Sequence, residues 1–236
     1  MKICGIDVQK YVLAQLASSH SGLTEDQKKL GVCLIDIGGG TSDVAIFSEG
    51  SISHTVNIPI AGEHVTNDIA RAIGTSIQNA EEIKKKHGCA WSDLADSDEL
   101  ITTQSINGRE NQSFSRQGLS SVIEVRYQEI FQIIKQHLGN TNLTQLLPAG
   151  IVLTGGASRI EGISQLGEEV FQTPVRVGKT QGLIGLSDIL SNPIYSTAVG
   201  LILFAQKEID EDYMDFAMLN EKGLFNKAFR WIQNTF

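Results

Sequence analysis

Cysteine is scarce in this sequence, and its scarcity excludes two common ways of stabilising a small domain. Three cysteines, Cys4, Cys33 and Cys89, are spread over 236 residues. Their spacing matches no zinc-binding pattern, and their odd number does not fit a complete disulfide framework. We therefore expect each to be a small buried hydrophobic residue in a reducing, cytoplasmic compartment.

An excess of positive charge and long apolar runs are also lacking. The net charge is −8, whereas proteins that bind nucleic acid usually carry a basic surface, so no nucleic-acid partner is expected. No stretch approaches the roughly 18 apolar residues of a spanning helix, and no signal-peptide core follows Lys2. What is present, 41% hydrophobic and 19% charged residues, is typical of a globular chain with a substantial core.

The hydrophobic pattern predicts an α/β fold. VCLIDI at 32–37 is a continuous apolar run, typical of a strand buried on both faces. DVAIF at 43–47 and the alternating 51–60 complete a meander of three strands. Further strands are predicted at 11–15, before the Gly-Gly turn of 150–158 and at 175–177, with a hairpin around 107–108; helices are predicted at 16–30, 64–73, 80–88, 118–138 and 193–207.

Three glycines separate the first two strands of the meander, in LIDIGGGTSDVAIF at 34–47. Consecutive glycines let backbone N–H groups point into one space, which favours an anion such as phosphate. Asp36 could hold, through water, a Mg²⁺ that bridges phosphate oxygens, and Thr41 could donate a hydroxyl hydrogen bond. The alternative is a tight hairpin whose glycines only supply positive φ. Neither a Walker A loop nor a Rossmann fingerprint is present.

Two further segments are weaker candidates. LTGGAS at 153–158 places two glycines between a strand end and a helix, as many ordinary strand–helix turns do. AEEIKKKHG at 80–88 is equally compatible with a charged helix facing solvent. Each motif alone says little, but their combination is informative.

Together these motifs resemble the second lobe of the actin/Hsp70/sugar-kinase ATPase superfamily. DIGGGT at 36–41 is similar to its second phosphate motif and LTGGAS to its adenosine motif, while 16–31 and 195–204 resemble its two connecting helices. Within the superfamily, essentially the whole chain most resembles the FtsA family of bacterial cell-division proteins. The runs that carry this resemblance are 30–47, 57–70, 80–90, RYQEI at 126–130 and PAGIVLTGG at 148–156.

The resemblance implies an actin-like (ribonuclease H-like) ATPase lobe with a mixed sheet, flanking helices and a small inserted α/β subdomain. It divides the chain into subdomain 1A segments at 1–30 and 181–206, subdomain 2A at 31–62 and 118–180, and subdomain 2B at 63–117. Nothing matches the family's first phosphate motif or its subdomain 1C. We therefore expect the chain to represent the C-terminal portion of such a protein and to bind ATP poorly by itself.

The resemblance also implies ATP and Mg²⁺ as cofactors. Asp36 would orient the Mg²⁺ shell, and Gly38, Gly39, Gly40 and Thr41 would hold the β- and γ-phosphates. Glu81 and Lys84 would face the ribose and adenine, and Gly155 and Gly156 would lie under the adenosine. It assigns no catalytic residue, and at most weak ATPase activity, not metabolic catalysis, is expected.

The last 30 residues change character. Residues 207–221 are strongly acidic and predict a flexible linker. Residues 222–236 predict an amphipathic helix about 20 Å long, suited to the surface of a membrane rather than to crossing it. Its apolar stripe is Leu224, Phe225, Ala228, Phe229, Ile232 and Phe236, flanked by Trp231, with Lys222, Lys227 and Arg230 as basic residues. The alternative is a helix docked on the protein's own core.

The function implied by the resemblance is a scaffold. It would tether FtsZ polymers to the inner face of the cytoplasmic membrane, self-associate into actin-like filaments and join other divisome proteins at the septum. Its subdomain 2B would bind the C-terminal peptide of FtsZ, with Arg109, Arg116 and Arg126 as candidate contacts or, alternatively, as solvated surface arginines. Alternative functions are a pilus-assembly protein of the PilM type and an enzyme of the sugar-kinase/Hsp70 superfamily.

Overall fold

A mixed five-stranded sheet lies at the centre of the computed structural model, which describes residues 4–5, 7–8, 10–103, 112–139, 146–182 and 190–210. Its order is β3-β2-β1-β6-β7, with β1 paired antiparallel to β2 and parallel to β6. This confirms the predicted meander. The strands are β1 (Val32–Ile37), β2 (Ser42–Ser48), β3 (Ser51–Ile58), β4 (Leu100–Thr103), β5 (Gln112–Ser115), β6 (Ile151–Thr154) and β7 (Val175–Val177).

Helices cover both faces of this sheet. They are α1 (Ala14–Gly22), α2 (Glu25–Leu30), α3 (Gly62–Ile73), α4 (Ile77–His87), α5 (Arg116–Leu138), α6 (Ile163–Phe171) and α7 at 196–210. Short 3₁₀ turns lie at Ser92–Leu94, Gly156–Arg159 and Pro193–Tyr195. The predicted hairpin is present as the antiparallel pair β4–β5, although residues 104–111 between the strands lie outside the described ranges.

Side chains of β1 alternate between two hydrophobic clusters, as the pleat requires. Cys33, Ile35 and Ile37 point into the larger cluster, which includes residues of α3, α5 and α6. Val32 and Leu34 point into a smaller cluster formed with β2, β6 and Leu23 after α1. The next residue in this second series is Asp36, so its carboxylate lies on the α1 side of the sheet.

The predicted N-terminal elements are partly wrong. Residues 11–13 have no regular structure and α1 begins at Ala14, so YVLAQ is not a strand. A short apolar run does not distinguish a strand from the start of a helix. The predicted helix over 16–30 is two helices, because Thr24 Oγ1 accepts a hydrogen bond from the Gln27 N–H and the Thr24 N–H donates one to Gln27 Oε1, which forms a capping box that begins α2.

Three smaller expectations also need correction. Cys33 and Cys89 are buried as expected, but Cys4 is exposed. The apolar spacing within 118–138 favours Val125 on the buried face of the predicted helix, yet this residue is 67% exposed on α5. Residues 207–210 still belong to α7, so they are not part of a flexible linker. The predicted membrane helix at 222–236 lies outside the described ranges, and no helix within them has the length and apolar character needed to cross a membrane.

Helices α1 and α7 cross with their backbones in contact. A Cβ atom added at Gly200 of α7 would lie 1.8 Å from the carbonyl oxygen of Ala17 in α1. The Ser21 hydroxyl of α1 donates to the carbonyl oxygen of Ser196 at 2.8 Å. Only glycine therefore permits this crossing, which lies on the same side of the sheet as Asp36.

Candidate functional site

Asp36 is the buried acidic group at the end of β1. Its side chain is 9% exposed, and its Oδ2 atom accepts hydrogen bonds from Ser18 Oγ at 2.7 Å and from Thr197 Oγ1 at 3.2 Å. Burial raises the pKa of Asp36, the two hydroxyl donors act against that effect, and the nearby charge of Asp43 adds to it. The net result is a raised pKa in a carboxylate held between α1, β1 and α7.

Gly155 of the LTGGAS turn packs so closely against Asp36 that it leaves no space for a side chain. Its φ is +85°, and an added Cβ would lie 2.4 Å from Asp36 Oδ1 and 2.5 Å from the carbonyl oxygen of Ile37. The glycine is therefore needed for packing within the chain. Gly156 differs, since an added Cβ would only make ordinary contact with Ile194 at 3.6 Å.

The three glycines at 38–40 form a tight turn closed by a hydrogen bond from the Gly38 N–H to the carbonyl oxygen of Thr41 at 2.9 Å. None of the three has a positive φ. The alternative that they only supply positive φ is therefore wrong. Their conformation is accessible to other residues, so the reason for glycine must be sought in the surrounding space.

That space is different for each glycine. An added Cβ would lie 3.3 Å from the Thr41 carbonyl oxygen at Gly38 and 3.3 Å from Glu63 Oε1 at Gly39, but at Gly40 it would meet nothing within 4 Å. Gly39 and Gly40 are exposed, and neither N–H group donates to any residue that the structure describes. Both glycines are thus exposed with free N–H donors, and open space lies beside Gly40, as the cradle of a phosphate group requires.

The start of α3 supports the turn from behind. The Gly62 N–H donates to the Gly38 carbonyl oxygen at 3.1 Å, and the Glu63 N–H donates to that of Gly39 at 2.8 Å. An added Cβ at Gly62 would lie 3.1 Å from both the Gly38 carbonyl oxygen and Ala157 Cβ. Gly62 therefore brings the glycine turn, α3 and the segment after LTGG together, a role that the sequence did not reveal.

Asp43 is a second carboxylate that the sequence interpretation missed. It lies directly opposite Asp36 in the β1–β2 ladder, so both side chains are on the same face. Asn57 Nδ2 donates to Asp43 Oδ1 at 2.6 Å, and the exposed Thr41 hydroxyl donates to Asp43 Oδ2 at 3.3 Å. The signal was present, because a hairpin that closes over 38–41 pairs residue 36 with residue 43.

These oxygen atoms fit a hydrated divalent cation better than a directly chelated one. Within the described ranges no group of three or more His, Cys, Asp or Glu side chains could enclose a metal. Mg²⁺ is commonly held by one or two carboxylates together with water and substrate phosphates. Asp36, with Asp43 nearby, would supply the protein's part of such a donor set.

The predicted pair Glu81 and Lys84 lies behind the glycine turn and links α3 with α4. Lys84 Nζ donates to the Gly62 carbonyl oxygen at 2.9 Å, to Thr66 Oγ1 at 2.7 Å and to Glu81 Oε2 at 2.7 Å. An ammonium has three protons, so this geometry uses all its donors and favours a structural role for Lys84. Burial opposes ionisation of Glu81, but hydrogen bonds from Lys84 and Thr66 outweigh it and lower its pKa. Contact of the pair with a nucleotide stays a prediction.

The arginines proposed to contact a partner are engaged within the chain where they are described. Arg126 forms ion pairs with Asp68 and Glu129, and Arg116 with Glu99 and Glu161. These pairs favour a structural role, and partner binding stays a prediction. Arg109 lies outside the described ranges.

A cavity of about 370 Å³ lies beside the LTGGAS turn rather than at the glycine turn. Ser158, Ile160, Ile163, Val177 and Pro193 are among its lining residues. None of the residues predicted to hold nucleotide lines it. We therefore assign the candidate site to the glycine turn and Asp36, where the free donors and the carboxylates lie.

Comparison with known proteins identifies the family. A family model described as "Cell division protein FtsA" matches residues 33–200. Cell division protein FtsA of Pseudomonas aeruginosa is 47% identical over 240 residues, covering 99% of this chain and 58% of the relative. FtsA of Escherichia coli K12 is 44% identical over 98% of this chain and 56% of the relative, and FtsA of Bacillus subtilis is 40% identical over 85% and 44%.

Solved structures show the same fold at lower identity. MreB5 of Spiroplasma citri bound to ADP superposes with a TM-score of 0.72 at 23% identity, covering 90% of this chain and 64% of that one. The PilM–PilN type IV pilus biogenesis complex gives a TM-score of 0.62 at 16% identity, covering 86% and 54%. These likenesses confirm the predicted actin-like fold and carry no more than the fold.

These comparisons confirm the predicted resemblance to the FtsA family rather than the pilus-assembly or enzyme alternative. The chain spans 58% and 56% of the length of the P. aeruginosa and E. coli proteins. The chain belongs to the FtsA family of cell-division proteins.

Proposed function

We propose that this chain forms one side of an ATP site, in which the Gly39 and Gly40 N–H groups bind the β- and γ-phosphates. The observation that carries the proposal is Gly40. Neither its φ nor packing within the described part of the chain requires a glycine there, an added Cβ would meet nothing within 4 Å, and its N–H donates to none of the described residues. A bound phosphate that approaches the backbone closely would explain the missing side chain.

Asp36 and Asp43 would hold the hydrated Mg²⁺ that accompanies the nucleotide. The ion supplies charge neutralisation at the phosphate oxygens. Ser18 and Thr197 orient Asp36, and the Gly155 turn leaves room for its Oδ1 atom. The MreB5 structures that share this fold were solved with ADP and with AMPPNP, which supports nucleotide as the ligand.

Phosphorus NMR of ATP tests this proposal at the phosphates themselves. With Mg²⁺ present, the chain should broaden the β- and γ-phosphate resonances, and Gly40→Ala should suppress the broadening because the added methyl occupies the cradle. The control is Ala205→Ser on the exposed face of α7. Another Gly→Ala substitution, at Gly74, is not suitable because Gly74 has a positive φ. Equal broadening by all three proteins would contradict the assignment.

At the cellular level, we propose that the chain acts in a peripheral scaffold on the cytoplasmic face of the inner membrane at the division site. Family membership supports the role in division, and the amphipathic pattern of 222–236 supports attachment to the membrane surface. Substituting Phe229→Glu removes an apolar group whose full burial is worth about 1.5–3 kcal/mol. Binding to anionic liposomes should fall roughly tenfold or more.

Asn234→Glu is the matched control for the membrane proposal. It adds the same charge to the same segment, but on the polar side of the predicted helix. Liposome binding should be nearly unchanged for this variant when measured by flotation. Equal loss in both variants would indicate a general charge effect and would contradict the insertion of an apolar face.

We further propose that the segment 63–117 binds the acidic C-terminal peptide of FtsZ, with Arg109 as the contact to test first. Arg116 and Arg126 already form ion pairs within the chain, so substituting them would disturb the fold as well. Fluorescence anisotropy with a labelled peptide should show weaker binding for Arg109→Ser than for Arg159→Ser, an exposed arginine outside this segment. Equal affinities would remove Arg109 from the proposed contact.

A further inference from the structure

We propose that Glu63 makes phosphate binding at the glycine turn dependent on a divalent cation, because its carboxylate repels a phosphate group that arrives without one. The inference rests on the nucleotide site proposed above and adds to it a residue from the first turn of α3. Glu63 would thereby select the Mg²⁺ complex of a nucleotide over the free nucleotide.

The first observation is the contact between Glu63 and Gly39. An added Cβ at Gly39 would lie 3.3 Å from Glu63 Oε1 and 3.8 Å from both Cδ and Cγ, and the Glu63 N–H donates to the Gly39 carbonyl oxygen at 2.8 Å. The end of the Glu63 side chain therefore lies against the position that a larger residue at 39 would occupy. Glycine at this position leaves room for the carboxylate, whereas at Gly40 nothing within 4 Å limits the space.

This contact limits how far the carboxylate lies from a bound phosphate. A Cβ atom lies about 2.5 Å from the nitrogen of its own residue, so Glu63 Oε1 lies no more than about 6 Å from the Gly39 nitrogen. A phosphate oxygen that accepts from this N–H group would lie about 2.9 Å from the nitrogen. The two negative groups would then be at most about 9 Å apart, which is within the screening length of about 10 Å in 0.1 M salt.

The second observation is that no described side chain neutralises this carboxylate. Glu63 is exposed, and its carboxylate forms neither an ion pair nor a hydrogen bond with any residue that the structure describes. Lys84 reaches the start of α3, but its three protons are donated within the chain. Asp36 and Asp43 flank the same turn, so Glu63 is a third carboxylate beside the free N–H donors.

These charges act differently on a free nucleotide and on its Mg²⁺ complex. A terminal phosphate group carries about two negative charges near neutral pH, and a carboxylate within the screening length repels it. Bound Mg²⁺ neutralises charge on the phosphate oxygens, and the water that it retains can donate hydrogen bonds to carboxylates. The repulsion therefore weakens binding of the free nucleotide more than binding of its Mg²⁺ complex.

An acidic residue in the first turn of a helix also has a simpler role, because it interacts favourably with the helix dipole. Removing the charge would then lower the stability of the fold without changing the dependence of nucleotide binding on Mg²⁺. The dipole alone does not account for the contact with Gly39, since a carboxylate directed away from the turn would interact with the dipole as well. Nucleotide binding with and without the cation separates the two roles.

Amide NMR titrations of the full chain with ATP test the inference, in low salt and with either Mg²⁺ or EDTA. Binding is measured from the shifts of the Gly39 and Gly40 amides. Glu63→Gln keeps the size of the side chain and removes its charge, so it should tighten binding of ATP in EDTA roughly threefold or more. Binding of Mg·ATP should change less than about twofold.

Glu169→Gln and Glu63→Asp are the matched controls. Glu169→Gln removes the same charge from an exposed position near the end of α6 and should leave both affinities unchanged. Glu63→Asp keeps the charge at the start of α3 and should preserve most of the preference for Mg·ATP over free ATP.

The outcomes separate this inference from the proposal on which it rests. If Mg·ATP shifts the Gly39 and Gly40 amides of wild type, the site stands. The inference is then overturned if Glu63→Gln changes binding with Mg²⁺ and with EDTA by the same factor, leaves both unchanged, or weakens binding in EDTA, or if Glu169→Gln has the same effect. If ATP shifts these amides neither with Mg²⁺ in wild type nor with EDTA in Glu63→Gln, the proposed site and the inference are both overturned.

Discussion

At the residue scale, Gly40 and Gly155 are glycine for different reasons. Gly155 has a positive φ and touches Asp36, so its missing side chain is a requirement of the fold. Gly40 has neither constraint, so its missing side chain serves the ligand in our account. Replacing each of the two glycines by alanine should therefore distinguish an effect on the free energy of unfolding from an effect on ATP binding.

Gly155→Ala should lower the free energy of unfolding by roughly 2–4 kcal/mol, from backbone strain and the clash with Asp36. Gly40→Ala should change it by no more than about 0.5 kcal/mol while weakening binding of ATP. Urea unfolding followed by circular dichroism measures the first quantity, and a nucleotide titration measures the second. A large loss of stability in Gly40→Ala would contradict the open space beside that residue.

The ionised form of Asp36 should lower the stability of the fold and support the Mg²⁺-dependent part of ATP binding. Its pKa is raised, so the folded state favours the neutral form, and stability falls as pH rises from the ordinary value of 3.8 through the raised value. Asp36→Asn keeps an oxygen acceptor for Ser18 and Thr197 without the buried charge. We expect this variant to gain stability relative to wild type as pH rises through that window, and to lose the Mg²⁺-dependent part of ATP binding.

Thermal unfolding of both proteins at pH 4 and pH 7, together with ATP titrations with and without Mg²⁺, checks the Asp36 prediction. The variant-minus-wild-type difference in stability should be larger at pH 7. A variant that is destabilised more at pH 7 than at pH 4 would show that the ionised carboxylate stabilises the fold, contrary to the raised pKa.

The sequence predicted the acidic residue of the site but not the residues that hold it. Asp36 and the glycines stand together in one motif, whereas Ser18 and Thr197 are separated from Asp36 by 18 and 161 residues. Hydroxyl residues in helices give no local signal of so distant a partner. Asp43 could have been found from the hairpin register, which pairs it with Asp36.

At the element scale, the crossing of α1 and α7 connects the site with the rest of the molecule. Ser18 and Thr197 reach Asp36 only because Gly200 lets the two backbones touch at Ala17. The sequence predicted helices near both positions, and the buried strand β1 was evident from its apolar run. The crossing was not predictable, because it depends on a contact between helices far apart in the chain.

Gly200→Ala should separate the two helices. Alanine improves helix propensity by about 1 kcal/mol, but a Cβ atom 1.8 Å from the Ala17 oxygen cannot be accommodated without moving a backbone. The clash should outweigh the gain in helix propensity, because overpacking costs up to about 3 kcal/mol. The free energy of unfolding should therefore fall by about 2 kcal/mol. Ala205→Ser on the exposed face of α7 is the control, and unfolding that matches wild type in both variants would contradict the contact.

At the scale of the whole molecule, apolar side chains are exposed around α7 among the residues that the structure describes. Leu201, Ile202 and Ile209 are 44%, 55% and 66% exposed, and Tyr11 and Leu13 are exposed before α1. Exposed apolar residues in such numbers favour association. Leu201 and Ile202 belong to the segment 195–204, which resembles a connecting helix of the superfamily.

We therefore expect the chain to self-associate. Sedimentation velocity should show a sedimentation coefficient that rises with protein concentration, and Ile202→Glu with Ile209→Glu should reduce this rise. Gln206→Glu adds charge to an exposed position of the same helix and should have a smaller effect. A stable monomer at all concentrations would contradict the expectation.

The central claim, that the glycine turn is a phosphate site, is tested most directly by an amide NMR titration with ATP and Mg²⁺. The account predicts saturable shifts of the Gly39 and Gly40 amides in wild type, with a dissociation constant of roughly 0.1–10 mM, and no such shifts in Gly40→Ala. If these amides stay in place up to about 10 mM nucleotide, or shift equally in the variant, the turn is an ordinary hairpin and the account is wrong.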